Sequence, residues 1–178
     1  MKRLLLLILL VLVAGFLWWA FSPLLFDKEV QEELDPELQA RIKAQEQADA
    51  RRQQNTNTAS DTEVDTSLEV DESRVLNEGP YPIQGTSGHP ASGEVEVIES
   101  PEEKLIYFTN YDGTNGPDLY VYLSKDLEAT DYIDLGEAKG NQGNLIYGVP
   151  LDVDFSEYKY VLTWCKAFGV LFDYAEIN

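Results

Sequence analysis

The chain has 178 residues, of which 44% are hydrophobic, and a formal net charge of -19. So acidic a surface repels phosphate backbones, which excludes nucleic acid as a partner. A single cysteine and a single histidine exclude a disulfide framework and are too few for a closed tetrahedral metal site, so no metal site is expected.

Met1-Lys2-Arg3 runs straight into LLLLILLVLVAGFLWWAF, residues 4–21, which carries no charge. As a helix this run extends about 27 Å, close to the hydrocarbon thickness of a bilayer. Positive charge precedes it and acidic residues dominate after it. The expectation is therefore an uncleaved transmembrane helix within residues 1–26, anchoring a single-pass membrane protein. Its N-terminus would be cytoplasmic and its C-terminal domain extracytoplasmic, periplasmic or at the cell surface. Trp18 and Trp19 suit the outer interface. A cleaved signal peptide is the alternative, but no small-x-small cleavage site follows the run, and Phe16 stands where a lipidated cysteine would have to be.

Residues 27–54 read as a spacer, with a helix over 35–54, DPELQARIKAQEQADARRQQ. Asp35 suits the N-cap and Pro36 the first helical position, with basic Arg51 and Arg52 late. Leu34, Leu38 and Ile42 form a narrow stripe at spacing four, read as one side of a solvated spacer or as a weak self-association seam. Residues 55–79 contain no aromatic residue and no sustained period, the signature of a disordered acidic linker.

Residues 80–178 change character. GEVEVIE, KLIYFTNY, DLYVYLS, DYIDLGEA, NLIYGVP, YKYVLTW and FGVLFDYAEI are short runs rich in Val, Ile, Tyr and Phe, punctuated by Gly, Asn, Asp and Pro. This pattern predicts an all-β domain, an antiparallel β-sandwich or barrel-like fold. The numerous tyrosines suit a half-buried sheet; an electron-hopping route or a ligand-binding face is the functional alternative. YDGTNGPD, residues 111–118, has the residue types of a calcium loop but lacks its acidic alternation and closing glutamate, and reads as a turn.

WCKAF, residues 164–168, holds the lone cysteine. Strand alternation puts Tyr160, Leu162 and Trp164 on one face and Val161, Thr163 and Cys165 on the other. A tight turn at Lys166-Ala167 would set Cys165 near a hairpin tip opposite Phe168, with Lys166 close enough to favour the thiolate. A small buried hydrophobe and an intermolecular disulfide are the alternatives. His89 precedes a proline in a glycine-rich segment. It reads either as a turn residue or as a partner of Cys165 in activating the thiol or in binding haem iron. Hydrolase or transferase chemistry at Cys165 would need His89 within hydrogen-bond reach.

Four blocks occur in an order that resembles the DM-thirteen electron-transfer domain family: HPASGEV (89–95), GPDLYVYL (116–123), YIDLGEAKGNQGNLIYGVP (132–150) and YVLTWCKAFGVLFDYA (160–175). Leu145-Ile146 departs from the more polar pair expected there, and the last strand is tyrosine-rich. The resemblance implies a small β-rich extracytoplasmic domain with a redox cysteine, and relatives that stand beside haem-binding and cytochrome-type proteins. The expected function is a membrane-tethered electron-transfer module working through Cys165, with a redox protein as partner. Haem is a possible cofactor, held by Cys165 and His89. The competing expectation is a non-catalytic binding or adhesion module in which Cys165 is structural.

Overall fold

A computed structural model describes residues 2–21, 26–56 and 75–177. Helix α1 spans Lys2–Phe21, strand β1 Glu29–Gln31 and helix α2 Pro36–Thr56. The folded region continues with β2 (Leu76–Gly85), β3 (Ala91–Glu99), β4 (Lys104–Gly113), β5 (Leu119–Ser124), β6 (Tyr132–Glu137), β7 (Gln142–Val149), β8 (Tyr160–Cys165) and β9 (Val170–Glu176).

Among the described residues, no helix is long and apolar enough to cross a membrane. The apolar run does form α1. Even so, no helix among the described residues has the length and apolarity that a crossing requires. This finding corrects the expected transmembrane helix and, with it, the single-pass placement with a cytoplasmic N-terminus and an extracytoplasmic domain. Most of the expected disordered linker, residues 57–74, lies outside the described residues, while its last part, 76–79, is already strand β2.

The strands form one sheet in the order β1-β7-β4-β3-β2-β9-β8-β5-β6. The expected antiparallel sandwich is corrected to a mixed nine-stranded half-barrel, because β1 pairs parallel with β7 while the other pairs are antiparallel. A segment of three residues, Glu-Val-Gln, has no strand pattern of its own and is recruited by a neighbour's free edge. The side chain of Glu32, just beyond β1, accepts the Ile146 amide at 2.7 Å and pairs with Lys139 at 2.8 Å. Burial alone would raise its carboxyl, but the Lys139 and Ile146 bonds outweigh burial and hold it below its ordinary range.

Strand β2 carries the chain from one half of the sheet to the other. Its first part, Leu76–Pro82, pairs with β3, and its end, Ile83–Gly85, pairs with β9. The register slips between Glu78 and Tyr81, where Gly79 adopts a φ of 122°. An added Cβ at Gly79 would come within 2.8 Å of the Val95 carbonyl, so this bulge requires glycine.

Alternation sorts the side chains. Val95, Val97, Ile106, Phe108, Leu145 and Tyr147 face inward and meet Val121, Leu123, Val161 and Ala175 from the other half in one core. The opposite face of β3, β4 and β7 is also apolar at Ile98, Leu105, Tyr107 and Ile146, because α2 covers it. Asp35 caps that helix, its Oδ1 accepting the Glu37 amide at 2.8 Å. Leu34, Leu38 and Ile42 are buried with Val75 and Ile98, so the stripe docks on the sheet instead of facing water.

Truncating this stripe should detach α2 without melting the sheet. Leu38 is 4% exposed, and Leu38→Ala is expected to cost about 2–4 kcal/mol. Native-state hydrogen exchange checks this: α2 amides should lose protection while the amides of β4 and β8 keep theirs. Equal loss in both would refute independent docking.

Candidate functional site

Strands β5, β8 and β9 place the sequence-predicted residues around one end of the sheet. Leu119 pairs with Cys165 across β5 and β8, and Cys165 pairs with Val170 across the β8–β9 hairpin. The turn between them takes four residues, 166–169, so Phe168 lies at an exposed tip and is not opposite Cys165. Val161, Thr163 and Cys165 are all buried, but so is Leu162 on the other face, so burial along β8 does not simply alternate.

Cys165 is 0% exposed. Its thiol donates to the Pro117 carbonyl at 3.1 Å and packs with Leu119, Phe172 and Ala138. Pro117, Leu119 and Ala138 also line an open pocket of about 570 Å³, together with Asn141 and with Phe26, Asp27 and Lys28 of the N-terminal segment. Asn141 holds that segment in place. Its Oδ1 accepts the Lys28 amide at 2.7 Å, and its Nδ2 donates to Asp27 at 2.9 Å and to the Gly113 carbonyl at 3.0 Å. Asn115 adds a bond to the Phe26 carbonyl at 2.7 Å.

Lys166 and His89 are placed elsewhere. The Lys166 ammonium lies 4.2 Å from the Tyr120 ring centroid and 3.7 Å from an Asp134 carboxylate oxygen. Tyr120 is the cross-strand neighbour of Trp164, on the face of the sheet opposite to the one Leu119 and Cys165 share. The His89 ring stacks on Phe172 with centroids 3.8 Å apart, and its Nδ1 is 3.3 Å from the Thr86 hydroxyl. Thr86 Oγ1 also meets the Leu171 and Phe172 carbonyls at 2.9 Å. Phe172 thus adjoins both His89 and Cys165, and among the described residues no hydrogen bond joins the imidazole to the thiol. The hydrolase and transferase reading would need such a bond.

The same arrangement does not fit a haem. The thiol is sealed by packed side chains and bonded to a carbonyl, so it is not presented as an axial ligand to iron. Among the described residues no group of three or more His, Cys, Asp and Glu is set to hold a metal ion.

The outer face of β5, β6 and β8 carries an aromatic run. Tyr122 stacks on Tyr132 at 4.1 Å and lies 6.5 Å from Trp164. Tyr132 is exposed, while Tyr122 is buried beneath it.

Sequence reasoning did not single out the most unusual group of the core. Asp173 on β9 is 1% exposed and accepts a hydrogen bond of 2.8 Å from the Tyr111 hydroxyl on β4, itself 4% exposed. Tyr111 Oη also lies 3.3 Å from Thr163 Oγ1 on β8. Burial pushes the Asp173 carboxyl up to about 6 although the Thr163 and Tyr111 bonds pull it back. Burial, with the adjacent Asp173 charge, raises the Tyr111 phenol well above its ordinary value. Gly113 makes room for this phenol, which an added Cβ there would overlap. The available signal was an aspartate between Phe172 and Tyr174 inside a strand, with no turn residue beside it.

A family model described as "Electron transfer DM13" matches residues 84–177, more than half of the chain, and the chain belongs to that family. No curated protein and no solved structure matches the chain.

The raised Asp173 carboxyl sets the sign of a pH effect. The folded state binds a proton that the unfolded state releases between about pH 4 and pH 6, so this group's stabilising contribution is present below that window and lost above it. Asp173→Asn should therefore gain stability relative to wild type, on the order of 2–3 kcal/mol, between pH 4 and pH 7. Urea denaturation of both proteins at the two pH values measures the difference; a constant offset would contradict the assignment.

Proposed function

From membership of the electron transfer DM13 family, we propose that this domain passes electrons to or from a redox protein and that Cys165 takes part at the 570 Å³ cavity. One observation carries the role of Cys165: its thiol bonds to Pro117 and packs on Leu119 and Ala138, all cavity-lining residues. Electron exchange at sulfur requires the thiolate. The S–H proton therefore has to leave when the Pro117–Leu119 segment opens toward the cavity, where a docked partner would meet the sulfur. The Lys166 ammonium, one residue on, would return toward the sulfur only if it left Tyr120 and Asp134.

A second reading has its own observation. Complete burial, a satisfied hydrogen bond and apolar neighbours are what a purely structural cysteine shows. In that case the domain is a binding module and the thiol only fills the space beneath Leu119.

Thiol labelling separates the two. If Cys165 works at the cavity, a small alkylating reagent should modify the native protein faster than global unfolding allows. Cys165→Ser should fold, at a cost of about 1–3 kcal/mol, and lose electron exchange with its redox partner. Labelling that keeps pace only with global unfolding would leave the structural reading standing. Cys165→Ala provides a second non-reactive variant.

A further inference from the structure

We propose that Tyr111 is a proton-coupled redox residue, with Asp173 as the internal base that holds its proton. The proposal rests on the electron-transfer character of the family and is independent of any role for Cys165.

The geometry meets the requirement of this chemistry. A phenol that loses one electron becomes strongly acidic, so its oxidation is feasible inside a protein only where a base takes the proton at the same time. Tyr111 Oη donates to Asp173 Oδ2 at 2.8 Å, with both groups sealed from solvent. In the resting state Tyr111 is O–H and Asp173 is carboxylate. On oxidation the Tyr111 O–H bond breaks, the proton forms an O–H bond at Asp173 Oδ2, and one electron leaves to a metal-centred one-electron oxidant, which is reduced by one. The products are a neutral tyrosyl radical and a neutral carboxylic acid, so no net charge is created at the buried pair. Returning the electron reverses both transfers.

Burial pushes Asp173 up to about 6, which makes it a stronger base than an ordinary carboxylate while leaving it ionised at neutral pH. After the proton has moved, the new Asp173 O–H can donate back to the Tyr111 oxygen across the same 2.8 Å contact. The surroundings also protect a radical, since Phe108 packs edge-on against Tyr111 at 5.3 Å and in turn against Tyr147 at 5.7 Å. The route outward is short. The phenol lies against Gly113, whose amide donates to the Asn141 carbonyl at 2.8 Å and whose carbonyl accepts from Asn141 Nδ2 at 3.0 Å. Asn141 is part of the cavity wall.

The test uses the full chain carrying Cys165→Ser, so that sulfur oxidation cannot contribute, and hexachloroiridate(IV) as oxidant. Freeze-quench electron paramagnetic resonance follows the tyrosyl signal with time. Exposed tyrosines give short-lived radicals, whereas Tyr111 should give a persistent component that disappears in Tyr111→Phe. In Asp173→Asn, which keeps the side-chain shape but removes the base, the persistent component should decay or fall in yield by about tenfold or more, the scale of losing one charge-assisted hydrogen bond. A persistent signal that survives Tyr111→Phe, or is unchanged in Asp173→Asn, would overturn the proposal, as would its absence from the parent. Should Tyr111→Phe fail to fold, Asp173→Asn decides. Success here with unreactive Cys165, or failure here with reactive Cys165, distinguishes this inference from the thiol reading.

Discussion

A carboxyl group sealed from water must find its hydrogen-bond donors within the fold, and at Asp173 they come from both sides of the core. Tyr111 reaches it from β4, in the half of the sheet that α2 covers, and Thr163 from β8 in the other half. Pairs of this kind contribute little net stability, since desolvation consumes most of what the bonds return. What they impose is position. Were β4 and β9 to slide past each other by one residue, the carboxyl would be left without its phenol, a severe penalty in the interior. Gly113 belongs to the same constraint, because the phenol occupies the space that any side chain at 113 would need.

The N-terminal segment depends on that framework. Gly113 and Asn141 bond to each other in both directions, and Asn141 then bonds to Asp27 and Lys28. One buried amide side chain thus connects the end of β4, the entry to β7 and the segment that leads into β1. Parallel pairing of β1 with β7 and the Glu32–Lys139 ion pair continue the attachment. The cavity beside Cys165 has one wall from the sheet and another from this strap, so its shape follows from how residues 26–32 are tied down.

Much of this architecture was written in local patterns. Turn residues and β-branched runs located the strands of the family-matched region, Asp35-Pro36 marked the start of α2, and alternation in YVLTWC separated the two faces of β8 without saying which was inward. What escaped detection required knowledge of the third dimension. Glu29–Gln31 is a strand only because β7 offers an edge. The apolar stripe of α2 looked solvated because its partner residues lie more than thirty positions away in sequence. Ile146, an odd residue when compared with the family pattern, is explained by the helix lying over it. Asp173 was passed over because an isolated aspartate in a strand ordinarily marks an outward position. The register shift between Thr163 and Trp164 is what allows Phe172 and Asp173 both to be buried. The site followed the same division: Cys165 stood out as the only thiol, whereas the base beside Tyr111 depends on two strands meeting across the core.

Cys165 and Tyr111, both oxidisable and both buried, differ in what accepts their protons. An electron can pass through a few ångströms of packed protein, but a proton needs an acceptor within hydrogen-bond reach. Cys165 donates to a backbone carbonyl, which is too weak a base to take its proton, so chemistry at sulfur has to wait for the Pro117–Leu119 segment to open. Tyr111 donates to a carboxylate, so its proton can move without any opening of the fold. Burial, which counts against the thiol as a working atom, therefore favours the phenol. It excludes water and reductants from the radical and raises the basicity of Asp173. Coupled loss of an electron and a proton in a dry interior calls for a group of that second kind, and the Tyr111–Asp173 pair has that form.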